Sequence, residues 1–172
     1  SSYSGADVSN YSVTDQSTTT ANITAKSLTV SGITASDKTY DGSTSATLTG
    51  TAVYSGLVSG DTFTGSYSGV FANANVGSGK TVTITSSYSG ADVSNYSVTD
   101  QSSTTADIST KALTATASAT NKTYDGGTTA STTLTFTGLV GSETLGQTVG
   151  STFNNKNVAT GKTVTVNSIT LA

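Results

Sequence analysis

Three constellations in this 172-residue chain have the residue types and spacing to do chemistry. The first is a pair of triplets, Tyr40-Asp41-Gly42 and Tyr124-Asp125-Gly126, each preceded by Lys-Thr. A tyrosine ring there offers a surface on which a sugar or a partner ring can stack. The competing reading is that each ring packs into the core or hairpin and bonds its hydroxyl locally. Asp41 and Asp125 read as turn residues rather than ligands, because Gly, and Asp more tolerably, accept the positive φ of a tight hairpin. The second constellation is a set of carboxylates: Asp92, Asp107, and Asp37 or Asp41. These would have to converge at a joint to hold Ca²⁺, a hard cation that prefers carboxylate and carbonyl oxygen. No Asp-x-Asp-x-Asp spacing supports them, and Asn22 stands in the place of Asp107 in the other copy of its segment, so no metal site is assigned. The third is Lys80 or Lys162 with Asn75 or Asn157, the recurring pair for a Lys–Asn isopeptide crosslink. Such a bond needs a buried acid beside it, and the sequence places none there.

What the chain lacks closes most other routes. It has no His, Cys, Trp, Met or Pro, and Glu143 is its only Glu. The commonest general base, the thiolate nucleophile and the commonest transition-metal ligands are therefore missing. With 17 Asp, Glu, Lys and Arg residues in total, an enzyme is not expected, and neither is a cofactor. The net charge of −3 is dispersed, without the basic stripe of a nucleic-acid binder. No apolar run approaches the ~20 residues of a membrane-spanning helix. Asn-x-Ser/Thr sequons at Asn10, Asn22, Asn95 and Asn121 are about as many as chance gives ten Asn, because 67 of the 172 residues are Ser or Thr.

That Ser/Thr bias raises the question of disorder, and Leu, Ile, Val and Phe total only 32. Low net charge, eight Tyr and the patterned placement of the apolar residues argue for an ordered fold. Self-comparison shows how it is organised. Residues 1–17 recur unchanged at 86–102, an offset of 85. Lys-Thr-Tyr-Asp-Gly at Lys38 returns at Lys122, Gly-Leu-Val at Gly56 returns at Gly138, and Gly-Lys-Thr-Val-Thr at Gly79 returns at Gly161. The unit is about 85 residues long. Residues 21–32 and 106–116 contain no Gly/Pro linker before Gly32, so the joints fall at Ala25–Lys26 and Thr110–Lys111. On this cut residues 26–110 are a complete unit, 1–25 the C-terminal strands of a preceding one, and 111–172 a following unit without its last strands. The rival cut is 1–85 and 86–172.

Leu28/Val30 and Val82/Ile84 alternate with Thr and Ser, the period of a half-buried strand, with Val98 and Ile108 in similar surroundings. β-branched Thr suits the outward face, and the shortage of Glu, Met and Gln disfavours helix. Turn signals every 8–15 residues suit a small sandwich. Asp7 lies four residues before Tyr11, and Asp92 four before Tyr96, each pair leading into an alternating segment. The arrangement resembles the tyrosine corner of immunoglobulin-like domains, in which the Tyr hydroxyl bonds back to nearby backbone. The expected fold class is all-β, as tandem immunoglobulin-like β-sandwich repeats with almost no helix.

The KTYDG, GLVSGDTFTGSYSGVF, GKTVTI, SGADVSNYSVT and AKSLTVSGI segments, in that circular order, resemble the YDG repeat of large bacterial surface and secreted adhesins, including filamentous-haemagglutinin-like exoproteins. The resemblance covers nearly the whole chain. It implies an extracellular or cell-surface stalk that spaces a distal binding region, as in adhesion and biofilm proteins, and it implies no catalytic residues. The partners expected are neighbouring repeats, with strand exchange between near-identical copies as a further route. The alternative is a module that binds glycan, ice or host protein through a Thr/Tyr-rich face.

Overall fold

The computed structural model describes residues 2–171. The chain is all-β with almost no helix. Among the described residues the only helical pieces are single 3-10 turns, Val8–Asn10 and Val93–Asn95. In chain order the strands are β1 (Lys26–Ser31), β2 (Thr34–Ala35), β3 (Lys38–Thr39), β4 (Ser45–Ala46), β5 (Leu48–Thr49), β6 (Val53–Ser55), β7 (Thr64–Phe71), β8 (Gly77–Ser89), β9 (Tyr96–Thr99), β10 (Ser103–Ser109), β11 (Thr114–Ala119), β12 (Thr132–Thr137), β13 (Gln147–Phe153) and β14 (Val164–Leu171).

Strands β1 to β10 form a three-stranded sheet of order β6-β1-β9, a five-stranded sheet of order β3-β10-β8-β7-β4, and the small pair β2-β5. The long β8 organises the larger sheet. Its Val82 and Ile84 are buried while Thr81, Thr83 and Thr85 are exposed, the alternation that β-branched residues favour on a half-buried strand. β8 runs antiparallel to β7, with Phe71 opposite Val82, and antiparallel to β10 on its other side. β1 is antiparallel to β6 and parallel to β9, where Leu28 lies opposite Val98.

Leu28 and Val30 of β1, Tyr96 of β9 and Ile84 of β8 share one apolar cluster with Ile33 and Phe63, so the two sheets bury a common interior. Phe63 sits among the rings of Tyr54, Tyr88 and Tyr96, with centroids 5.2, 5.1 and 5.8 Å away. Such contacts contribute about 0.5–1.5 kcal/mol each beyond the area they bury. A second cluster joins Phe71, Val82, Ala106 and Ile108 on the five-stranded sheet, with the Tyr40 ring packed against it. The ladder between β8 and β10 shifts register between Ala106 and Ile108. Side chains replace the lost backbone bonds there: the Asp107 N–H donates to Asp37 Oδ1 at 2.7 Å, and the Gly79 N–H donates to Asp107 Oδ1 at 2.7 Å.

Beyond β10 only four residues precede β11. β11 pairs with β12 and β13 with β14, and a bridge between Thr129 and Thr152 links the hairpins. Phe153 lies opposite Val164, the same register as Phe71 opposite Val82. Residues 2–25 form no strand, and every one of them is exposed. No helix among the described residues is long and apolar enough to cross a membrane.

Candidate functional site

The two Tyr-Asp-Gly triplets build the same lysine-capped turn. Asp41 Oδ1 accepts the Ser43 N–H at 2.8 Å and the Lys38 ammonium at 2.7 Å. Asp125 Oδ1 accepts the Gly127 N–H at 2.9 Å and Lys122 at 2.7 Å. A short carboxylate that bonds its own backbone two residues on closes the turn. Gly42 and Gly126 follow with φ of +76° and +78°, the left-handed region that L side chains avoid. The Lys38 ammonium also lies 5.6 Å above the Phe71 ring, and Lys122 lies 5.8 Å above Phe153. Lys38, and next to it the Ser43 N–H, hold the Asp41 carboxyl down to about 2. Lys122 and the Gly127 N–H lower Asp125 in the same way.

The same device recurs with Asn. Asn73 Oδ1 accepts the Asn75 N–H at 3.1 Å and Lys80 at 2.6 Å. Asn155 Oδ1 accepts the Asn157 N–H at 3.0 Å and Lys162 at 2.6 Å. Lys80 and Lys162 therefore meet the side chains of Asn73 and Asn155, not those of Asn75 and Asn157 that spacing suggests. The reason is that the residue opening the turn presents its amide oxygen, while the one two places on offers its backbone N–H. These lysines are turn caps. Their signal in the sequence is a Lys at a fixed distance from an Asp or Asn in both copies.

The carboxylates considered for a cation are each bonded to backbone or lysine instead. Asp37, Asp92 and Asp107 each accept a backbone N–H, and Asp41 pairs with Lys38. Among the described residues no group of three or more carboxylates, His or Cys is placed to hold a metal.

The Asp/Tyr pairs behave differently in their two copies. In both, the intervening residues form a 3-10 turn preceded by Asp7 or Asp92. Tyr96 is buried; its hydroxyl donates to Asp61 and accepts the Val58 N–H at 3.0 Å. Asp92 Oδ2 accepts the Thr62 N–H at 2.8 Å. The pair thus pins the loop between β6 and β7 rather than backbone a few residues upstream, as in the tyrosine corner. β9 lies parallel to β1, and this brings Tyr96 over the start of that loop. Hydrogen bonding to Asp61 raises the Tyr96 hydroxyl above its ordinary range. Tyr11 is 74% exposed, because the strands it would pack against are not beside it.

The first triplet also touches the next unit. The Tyr40 hydroxyl donates to Glu143, and a Cβ placed on Gly42 would lie 3.0 Å from Val140 Cγ1. That bond to Glu143 raises the Tyr40 hydroxyl above its usual range. Tyr40 is accordingly half-buried, whereas Tyr124 is 58% exposed.

The outer face of the larger sheet carries mainly hydroxyls. Thr64, Ser66 and Ser68 of β7 lie opposite Ser89, Ser87 and Thr85 of β8, all six exposed. The tyrosines of β6 to β9 (Tyr54, Tyr67, Tyr88 and Tyr96) instead pack inward against the Phe63 cluster.

Small all-β units with turns fixed by lysine and a contact from the first triplet to the following unit define a tandem-repeat domain protein. A family profile described as YDG domain matches residues 24–106 and 109–172, and the chain belongs to the YDG domain family. No curated protein and no solved structure matches it.

Proposed function

We propose that this chain is a structural spacer, a run of immunoglobulin-like sandwich repeats in the extracellular stalk of a bacterial surface adhesin. The observation that carries this reading is the joint. Four residues separate β10 from β11. Across that joint Tyr40 bonds Glu143, and Gly42 lies against Val140. A short connection with a hydrogen bond and an apolar contact resists bending, so successive units extend as a semi-rigid rod. In such arrays stability is local plus nearest-neighbour. The repeated chemistry goes into turns: Lys38, Lys80, Lys122 and Lys162 cap them, and the carboxylates satisfy backbone. The chain is read as having no catalytic role.

Small-angle scattering on arrays of two, four and six units tests the proposal. The longest dimension is expected to rise in proportion to unit number, and growth as the cube root would mean a globule and refute it.

The hydroxyl-covered outer face favours a second reading, a module that holds glycan, ice or a host protein. The inward tyrosines remove the aromatic platform a sugar site uses, leaving Ser and Thr alone to do the binding. Binding to a glycan array or to ice would support that reading, and null results on both would leave the spacer.

A further inference from the structure

The first and last stretches of the unit formed by β1 to β10 run side by side in the same direction. Lys26 to Thr29 of β1 pair in parallel with Tyr96 to Thr99 of β9. Further on, Lys38 and Thr39 of β3 pair in parallel with Ile108 and Ser109 of β10, and just before them the Asp107 N–H donates to Asp37 Oδ1. Each of these partners stands 70 residues further along the chain. Residues 26–39 and 96–109 therefore keep one register while both pass from the three-stranded sheet to the five-stranded one. Between the two ladders the Gln101 side chain takes the place of a strand neighbour. Its Oε1 accepts the Ile33 N–H at 3.0 Å, and its Nε2 donates to the Ile33 carbonyl at 2.6 Å. At the far end the Tyr40 N–H donates to the Ser109 carbonyl at 2.9 Å.

This arrangement fixes how the unit meets tension. A pull along the chain enters at Lys26 and leaves at Ser109. Because the two stretches are parallel, those residues lie at opposite ends of the pair and are drawn apart along the strand direction. The evenly spaced bonds of a parallel pair are then loaded together rather than in turn. Side chains oppose the slide as well. Leu28, Ile33 and Ile108 are buried, with Val98 packed against the first cluster. A slip of one residue would turn every inward side chain to the opposite face. The hairpin of β7 and β8 is loaded differently. Its open end has Thr64 opposite Ser89, and drawing those two apart breaks one pair at a time.

We propose that residues 26–40 and 96–109 form a mechanical clamp, through which the unit resists stretching along the chain far more strongly than opening across its strands, with the Gln101 amide locking the crossing between sheets. Forced unfolding follows the height of the unfolding barrier rather than the equilibrium stability, so one fold has different strengths along different directions. This resistance belongs to the unit itself and does not depend on what the array spaces.

Single-molecule stretching of the full 172-residue chain tests the clamp. The chain has no Cys, so paired Cys handles attach only where they are introduced. One version carries Ala25→Cys with Thr110→Cys and the other Thr64→Cys with Ser89→Cys, all four at exposed positions. At the same pulling speed the first is expected to unfold at a force at least ~2-fold higher than the second. Adding Gln101→Ala should lower the force between 25 and 110 and leave that between 64 and 89 nearly unchanged, whereas a residue that merely supports the fold would move both together. Equal forces in the two directions, a lower force between 25 and 110, or a Gln101→Ala loss shared by both directions would each overturn the proposal.

Discussion

Leu28 and Leu113 are the same residue at the same place in two copies, one with a neighbouring β9 and one without. Leu28 is fully buried in the first cluster, between β6 and β9. Leu28→Ala removes buried methyl groups and leaves a closed cavity, which costs about 3 kcal/mol. Leu113 is 38% exposed. Its truncation forfeits only the transfer energy of the buried fraction, about 1 kcal/mol, with no closed void. The difference of about 2 kcal/mol is a factor of roughly 30 in the opening equilibrium. Urea-dependent hydrogen exchange read by mass spectrometry follows peptides of the two units separately. Leu28→Ala is expected to lower the opening free energy of residues 26–109 by the larger amount and leave 114–171 nearly unchanged. Equal losses at the two sites would refute the argument that β9 supplies the burial.

Glycine positions give a similar paired contrast. Gly90 has φ +132° and a Cβ there would meet Thr62 O at 2.1 Å, so Gly90→Ala should destabilise its unit by more than ~2 kcal/mol in urea melts. Gly5, its counterpart, has φ +146° with nothing within 4 Å, so Gly5→Ala meets backbone strain without the clash and should cost less than Gly90→Ala in the same melts. Asp41 titrates at about 2 when folded against 3.8 as a free group, so it adds stability above pH 3.8 that is lost as pH falls toward 2; Asp41→Asn should flatten the urea midpoint across that window. Tyr96 is raised when folded, so its contribution is complete below pH 10.0 and fades above it. Tyr96→Phe should weaken that alkaline decline and lower the midpoint at neutral pH, because the Val58 N–H and Asp61 lose a partner.

Local pattern told much of this architecture in advance. The alternation around Val82 and Ile84 marks β8, and Leu28 with Val30 marks β1, since a period of two has one explanation in a chain this poor in helix formers. Gly42 and Gly126 take the positive φ their turns require. Pairing between distant strands was not legible: nothing local to Tyr96 says that its hydroxyl meets Asp61 and Val58 in another loop, because that follows from β9 lying parallel to β1. The tyrosines offered the same ambiguity. Each stands in an alternating strand, and only the assembled sheets decide that Tyr54, Tyr67 and Tyr88 turn toward Phe63. Lys38 and Lys122 were visible as part of a recurring pentapeptide, but a cation three residues before an Asp does not announce a turn cap until the turn is built.

A stiff joint is what makes repeats into a spacer, and a distance distribution across it measures this directly. Spin labels at two exposed positions, Ser87 and Thr135, flank the contact between Tyr40 and Glu143. Pulsed electron–electron double resonance on the chain should give one narrow distance, broadened by Tyr40→Phe. A broad distribution in the chain with Tyr40 intact, unchanged by Tyr40→Phe, would contradict the account.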